Sequence, residues 1–139
     1  MNVLSVLLVD DEAEFVKTLT KRMQKRNIKA SGVMSGEEAL GFLEQHPTDV
    51  VVLDVKMPGM DGIRALREIK ERYPLTEVIM LTGHANVEVA IQGMELGAFD
   101  YLMKPMAIDT LLYKIQDAHK KKSLHEKKIG ERSCASAAI

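Results

Sequence analysis

Residues 50–54 read Val-Val-Val-Leu-Asp and residues 6–11 read Val-Leu-Leu-Val-Asp-Asp, so two apolar runs of strand length each end in carboxylates. Nearly continuous Val and Leu favour strands that are buried on both faces of a parallel sheet. The residues that follow such strands lie at the carboxyl edge of the sheet, which is where open α/β sheets bind ligands. These two stretches therefore predict both the fold class and the place of a polar site.

Further apolar runs along the chain alternate with helical patterns. Strands are predicted at 3–9, 28–33, 50–53, 78–81 and 98–102. Helices are predicted at about 12–26, 36–45, 61–72, 86–96 and 107–122. The second helix opens with Ser35 and Glu38 in the spacing of a capping box. This alternation predicts a βαβ series, and hence an α/β domain with a parallel sheet and right-handed crossovers.

The composition is that of one ordinary globular domain. The 139 residues are 46% apolar and 28% charged, with a formal net charge of −1. We expect a domain over 1–122 and a basic, disordered tail over 123–139, because the apolar stripe of the last helix fades there. Residues 120–139 hold six Lys or Arg and two Glu without interleaved aromatic residues, so direct nucleic acid binding is not expected.

Cysteine usage and hydropathy bound the cellular context. The lone Cys134 rules out an intrachain disulfide framework. The amino-terminal apolar run is too short for a signal peptide, and no stretch approaches the ~18 apolar residues of a membrane helix. No membrane partner is expected, and the expected location is cytoplasmic.

Charged residues follow three of the predicted strands. Asp10 and Asp11 follow the first strand, Asp54 the third and Lys104 the fifth. A lone carboxylate after a buried run would cost several kcal/mol of desolvation, and three together would repel one another. A divalent cation and the Lys104 ammonium would supply the missing positive charge. Taken alone, Asp10-Asp11-Glu12 could equally serve to cap the helix that follows.

Two weaker signals lie at the ends of the fourth and fifth strands. Thr82 is followed by Gly83, which leaves room for an oxyanion beside the hydroxyl. Asn86 is better placed than Thr82 to cap the next helix. Lys104 precedes Pro105, which favours extended geometry and makes a cis bond accessible.

The order and spacing of these features resemble a known family. Asp10-Asp11, Asp54 with the segment MPGMDG, Thr82-Gly83, and Tyr101 with Lys104-Pro105 are similar to the receiver domain of two-component response regulators. The similarity covers about 3–120 and is strongest to receivers of nitrogen-regulation-type activators. It implies a flavodoxin-like (βα)5 fold with strand order 2-1-3-4-5 and helices on both faces.

The resemblance also implies a metal-dependent phosphoacceptor. Asp54 would accept a phosphoryl group from a sensor histidine kinase or a histidine phosphotransfer protein. Mg²⁺, or Mn²⁺, would be ligated by Asp11, Asp54 and the backbone carbonyl of Lys56, with Asp10 acting partly through water. Such a protein catalyses only its own phosphorylation and dephosphorylation, so it is not expected to be an enzyme with a separate substrate.

Other positions of the family pattern would bind and read the phosphoryl group. Lys104, the Gly83 N–H and the Thr82 hydroxyl would contact its oxygens. Thr82 and Tyr101 would then act as a switch, although Tyr101 could instead be a plain strand aromatic. Lys56 and His84 are candidates for tuning phosphate lifetime, or are ordinary loop residues.

The switch would change a face formed by the fourth helix, the fifth strand and the fifth helix. This face includes Ala90, Met94, Tyr101 and Tyr113, and it would carry a homodimer contact or an unknown downstream protein target. Ile91, Leu111 and Ile115 are expected in the core instead.

Three alternatives stay open at this point. An Asp-nucleophile phosphatase would share the sheet, but it needs a second Asp where Lys56 stands. A flavin-binding flavodoxin would need a hydroxyl-rich loop where Asp10-Asp11-Glu12 stands. The chain could also be the receiver fragment of a longer transcriptional regulator.

Overall fold

The computed structural model describes residues 3–55, 61–83 and 86–137. Within these residues, five strands alternate with five helices. The strands are β1 (Ser5–Val9), β2 (Lys29–Val33), β3 (Val50–Leu53), β4 (Glu77–Thr82) and β5 (Asp100–Met103). The helices are α1 (Ala13–Gln24), α2 (Gly36–Gln45), α3 (Gly62–Arg72), α4 (Val87–Glu95) and α5 (Ile108–Ala137). All ten elements were predicted from the sequence.

The strands form one parallel sheet in the order β2-β1-β3-β4-β5. The chain passes from β1 outward to β2, crosses back over β1 to β3 and then continues outward to β4 and β5, so its direction reverses between β1 and β3. A crevice opens at the carboxyl ends of the strands at such a point. The predicted flavodoxin-like order is confirmed, and β1 and β3 are the strands that end in Asp10 and Asp54.

Two apolar layers cover the sheet, which explains why the strands read as continuous Val and Leu. On one face, Val6, Leu8, Val50 and Val52 pack against α1 and α5. On the other face, the alternate residues of the same strands pack against α2 and α3. These alternate residues are Leu7, Val9, Val51 and Leu53. Burial on both faces leaves the strand ends as the place where polar side chains can gather.

Helix boundaries follow local capping chemistry. The Ser35 hydroxyl accepts a hydrogen bond from the Glu38 N–H, and the Glu38 carboxylate accepts one from the Met34 N–H, 2.7 Å away. The side chains of Asp61 and Asn86 cap α3 and α4 in the same way. Gly97 follows α4 with a φ of 104°, a left-handed conformation that glycine adopts without strain.

The predicted end of the last helix is wrong. We expected α5 to stop at about 122 and the rest to be disordered, but α5 continues to Ala137. Residues 119–129 contain no Gly or Pro and include five Lys, a residue that favours helix, and Lys122 pairs with Glu126 one turn later. The division into a domain over 1–122 and a separate tail stays a prediction.

The expected core position of Ile91 is also wrong. Its side chain is 55% exposed on α4, where Val87 and Met94 are exposed too. Gly93 is the residue of α4 that faces the sheet, and a Cβ there would collide with the Met80 side chain. The helix therefore meets the sheet through glycine and turns its larger apolar residues outward.

Replacing two isoleucines with alanine tests this assignment. We expect Ile115→Ala, in the fully buried part of α5, to lower the free energy of unfolding by about 2–5 kcal/mol. Ile91→Ala should change it by about 0.5 kcal/mol or less, because the side chain is exposed. Urea denaturation measures both values, and equal losses in the two variants would contradict the outward orientation of Ile91.

Candidate functional site

Backbone hydrogen bonds align the strand ends that carry the predicted site. The Asp54 N–H donates to the Val9 carbonyl at 2.9 Å, which sets Asp54 beside the end of β1. The Lys104 N–H donates to the Thr82 carbonyl at 2.8 Å, which joins the ends of β5 and β4 in the same way. The sheet ladder itself thus brings residues from distant parts of the chain to one edge.

Three carboxylates meet at this edge. Asp10, Asp11 and Asp54 each offer an oxygen, and these three oxygens lie within 4.8 Å of one another. Asp10 and Asp54 are buried, with 3% and 5% of their surface exposed, whereas Asp11 is exposed. Hard carboxylate oxygens at this spacing, with one side open to water, fit the ligand preference of Mg²⁺.

The Lys104 ammonium lies against the two buried carboxylates. Its Nζ donates to Asp10 Oδ2 at 2.6 Å and lies 3.9 Å from Asp54 Oδ2. Burial disfavours the charged ammonium, but the hydrogen bond to Asp10 and the charges of Asp10, Asp54 and Glu12 outweigh it. The pKa of Lys104 is therefore raised above its ordinary value. The Lys104–Pro105 peptide bond is cis.

The start of α1 lacks a hydrogen bond from its N-cap side chain, and the Asp10 carboxylate binds the backbone just before the helix instead. Asp10 Oδ1 accepts from the Glu12 N–H at 2.9 Å, and Glu12, the N-cap residue, makes no side-chain cap. Glu12 Oε1 instead lies 3.7 Å from the Lys104 ammonium. The acidic run therefore serves the site more than it serves the helix.

Phe15 is a member of the site that the sequence analysis did not single out. The Lys104 Nζ lies 4.2 Å from the centre of its ring, within the range of a cation–π contact. The aromatic face therefore adds a favourable contact to the ammonium besides those from the carboxylates. Its only sequence signal is an aromatic residue on the first turns of α1, which is equally typical of a core position.

The candidate switch residues occupy the ends of β4 and β5. Thr82 is the last residue of β4 and is fully buried, paired in register with Met103. Tyr101 is half-buried and packs against the apolar layer on the α2 and α3 face. Gly83 is exposed, and a Cβ there would meet no described atom within 4 Å, so the position is open to an approaching ligand.

Two predicted residues, Lys56 and His84, lie outside the described residues. The start of α3, just beyond residues 56–60, contacts the end of β3. The Gly62 N–H donates to the Val55 carbonyl at 3.1 Å, and Asp61 caps α3. A Cβ on Gly62 would collide with the Val55 backbone and lie 2.5 Å from the Asp54 carbonyl oxygen, so only glycine fits there. The start of α3 thus supports the backbone of Asp54 directly.

Comparison with known proteins identifies a family. The family model described as "Response regulator receiver domain" matches residues 6–116. The regulatory protein AtoC of Escherichia coli is 39% identical over 114 residues, which cover 81% of this chain and 24% of that protein. The C4-dicarboxylate transport transcriptional regulatory protein DctD of Rhizobium meliloti is 33% identical over 134 residues, covering 96% and 29% respectively. This chain therefore spans less than a third of the length of these relatives.

Solved structures give the same result. A response regulator receiver domain protein from Clostridium thermocellum superposes with a TM-score of 0.82 and 35% identity, covering 88% of this chain and 98% of that one. The BeF3-activated DrrB receiver domain superposes with a TM-score of 0.77 and 31% identity, covering 86% and 99%. The similarity extends over the whole of each receiver.

Gly62→Ala tests whether α3 supports the Asp54 backbone. We expect a loss of about 1–3 kcal/mol in unfolding free energy, because the added methyl group must displace backbone. The amide signals of Asp54 and Val55 should shift in an NMR spectrum. Gly41→Ala is the matched control, since a Cβ on this helical glycine meets nothing within 4 Å, and it should stabilise by up to about 1 kcal/mol. A neutral Gly62→Ala with unmoved signals would contradict the close contact.

Proposed function

The chain belongs to the response regulator receiver domain family, and from this premise we propose that Asp54 is its phosphoacceptor. The donor would be a phosphohistidine on a sensor histidine kinase or a histidine phosphotransfer protein. The observation that carries the proposal is the placing of Asp54. It is a buried carboxylate that lies beside Asp10 and Asp11, which follow β1, and 3.9 Å from the Lys104 ammonium.

The reaction is a single displacement at phosphorus. An Asp54 carboxylate oxygen forms the new O–P bond, the P–N bond to the donor imidazole breaks, and the imidazole leaves with that electron pair. Lys104 would neutralise a phosphoryl oxygen, and the 3.9 Å distance from its Nζ to Asp54 Oδ2 supports this role. The Gly83 N–H and the Thr82 hydroxyl are the proposed contacts for the other oxygens.

The proposed cofactor is Mg²⁺, with Mn²⁺ as an alternative, held by Asp10, Asp11 and Asp54. A bound divalent cation would offset repulsion between carboxylates and phosphoryl oxygens and align the attack. Asp11 is the exposed member of the group, so it can exchange water for metal at low cost. Asp10 is already paired with Lys104 at 2.6 Å, which supports a role partly through water.

The proposed output is a change on the surface of α4, β5 and α5. Several large apolar side chains are exposed there without being needed for the core, namely Val87, Ile91, Met94, Met103 and Tyr113. Phosphorylation of Asp54 would draw in Thr82 and allow Tyr101 to move, which biases this surface toward a partner. The partner is a second copy of the chain or a downstream protein. DNA binding belongs to the longer relatives and is proposed here only for a longer regulator that contains this receiver.

Incubation with a small phosphodonor tests the phosphoacceptor. With Mg²⁺ present, mass spectrometry should show the gain of one phosphoryl group, and Asp54→Asn should remove it while the protein stays folded. Asp109→Asn is the matched control, because Asp109 is an exposed carboxylate far along the chain. Asp11→Ala should weaken Mg²⁺ binding at least about tenfold, since it deletes a direct ligand.

The same samples separate the competing assignments. Phosphorylation that persists in Asp54→Asn would refute the phosphoacceptor, and unchanged Mg²⁺ titration in Asp11→Ala would refute the ligand set. Sustained release of phosphate from many small phosphomonoesters per protein would instead favour the Asp-nucleophile phosphatase.

Thr82→Ala tests the switch separately from the chemistry. The variant should still take up a phosphoryl group, because Asp54 and the metal ligands remain. It should transmit the signal poorly to the α4, β5 and α5 surface. Beryllofluoride should change the amide exchange rates of 86–113 in the wild type, and this change should be much smaller in the variant. An exchange pattern that is unchanged in the wild type, with Asp54 occupied, would refute the proposed output.

A further inference from the structure

The last helix changes its mode of attachment along its length. Up to Ala118, α5 packs into the core through Leu111, Leu112 and Ile115. After Ala118, none of its described side chains, which extend to residue 129, is buried. A cavity of about 720 Å³ lies beside this part of the helix, lined by His119, Lys122 and the connections before β3 and β4. Apolar packing therefore does not hold α5 in place beyond Ala118.

At the amino end of β4, a buried carboxylate forms an ion pair with α5. Glu77 is 1% exposed, although its side chain is a carboxylate and it begins a strand. Its Oε2 lies 3.5 Å from the Nζ of Lys121 on α5, and its Oε1 lies 3.8 Å from the Nζ of Lys70 on α3. Lys70 is itself largely buried, and burial lowers its pKa below the ordinary value despite the charge of Glu77.

A second carboxylate, that of Asp49, pairs with Lys122, the residue of α5 that follows Lys121. Asp49 Oδ1 lies 3.1 Å from the Nζ of Lys122, and Oδ2 accepts from both the N–H and the hydroxyl of Ser5 at 3.0 Å. His119 Nε2 lies 3.8 Å from Asp49 Oδ2. Burial raises the pKa of Asp49, but the hydrogen bonds from Ser5 and Lys122 outweigh burial and lower it below its ordinary value.

The backbones of the two acidic residues are joined directly. The Glu77 N–H donates to the Asp49 carbonyl at 3.1 Å, at the first register pair of β3 with β4. Lys121 and Lys122 are consecutive residues, so they point about 100° apart around the helix axis. Contacts from both to a fixed pair of carboxylates set the rotation of α5 about its axis as well as its distance from the sheet.

We propose that Glu77 and Asp49, with Lys121 and Lys122, form a latch that fixes the direction in which α5 extends beyond Ala118. The latch lies at the amino edge of the sheet, opposite Asp54, and is independent of the phosphoacceptor. Through it, any partner or segment that contacts α5 beyond Ala118 meets a helix of fixed orientation. Opening it would free this part of the helix while the sheet and the carboxyl edge stay intact.

The ion pairs of the latch matter because they restrict the position of α5, and not because they add to the free energy of unfolding. A buried ion pair adds little net stability over an apolar pair, but it restricts the geometries that the two elements can adopt. Glu77 meets lysines from two different helices, so a shift of α5 would leave a buried carboxylate with a single weak partner. The latch therefore penalises intermediate positions of α5 more than apolar contacts would.

Amide exchange of the unphosphorylated protein tests the latch. In the double variant Lys121→Met, Lys122→Met, amides of 119–129 should exchange about tenfold faster, while those of β3 and β4 stay unchanged. Glu77→Gln should act in the same direction. Lys120→Met, Lys127→Met is the matched control, with both lysines exposed on the same helix, and it should exchange as the wild type does. Lys121→Arg, Lys122→Arg keeps both charges and should restore slow exchange.

Three outcomes would overturn the latch. They are unchanged exchange in the Met double variant, an equal rise in the control, or a rise that spreads equally through the sheet as global destabilisation. Phosphorylation of Asp54 is measured on the same variants with a small phosphodonor and should proceed as in the wild type. A failure of the latch and a failure of the phosphoacceptor are thus read from different measurements.

Discussion

Two buried carboxylates lie side by side at the end of β1 and β3, and the Lys104 ammonium is what allows both to be there. Asp10 and Asp54 are almost fully buried, and two carboxylates at this spacing repel each other unless a positive charge lies beside them. Lys104 reaches them from β5, which the sheet order separates from β1 by two strands. The contact of Lys104 with Asp10 therefore depends on the positions of β3 and β4, which lie between β1 and β5. The apolar core on both faces of the sheet fixes these positions.

The sequence predicted the sheet and the carboxyl edge for a physical reason. Apolar residues that continue without alternation mark strands buried on both faces, and the first charged residue after each run must lie where the strand leaves the core. Asp10 and Asp54 could be placed from this rule, whereas Lys104 was placed only by its position after the fifth strand, which contains the charged Asp100. The strand order and the proposed roles of Thr82 and Tyr101 came from the family resemblance, because neither follows from local pattern.

What the sequence could not predict depends on contacts between distant residues. Phe15 looks like any aromatic on an amphipathic helix until Lys104 is placed over its ring. Glu77 comes directly before the strand predicted at 78–81, and no local pattern marks it as buried or shows that lysines of two other helices meet its carboxylate. The length of α5 was underestimated because the apolar stripe ends at Ala118, whereas the ion pairs beyond it leave no periodic signal.

Both edges of the sheet contain buried carboxylates, but the two edges differ in how much positive charge the chain supplies beside them. At the amino edge, the two carboxylates of Glu77 and Asp49 face three ammonium groups, those of Lys70, Lys121 and Lys122, so no negative excess is left there. At the carboxyl edge, Asp10, Asp11 and Asp54 face the single ammonium of Lys104, and the chain leaves a negative excess. A balanced cluster holds two elements together, whereas an unbalanced one attracts a cation from solution. Among the described residues, these three carboxylates are the group whose oxygens lie close enough together to hold a metal ion, and for that reason we propose the phosphoryl chemistry at the carboxyl edge.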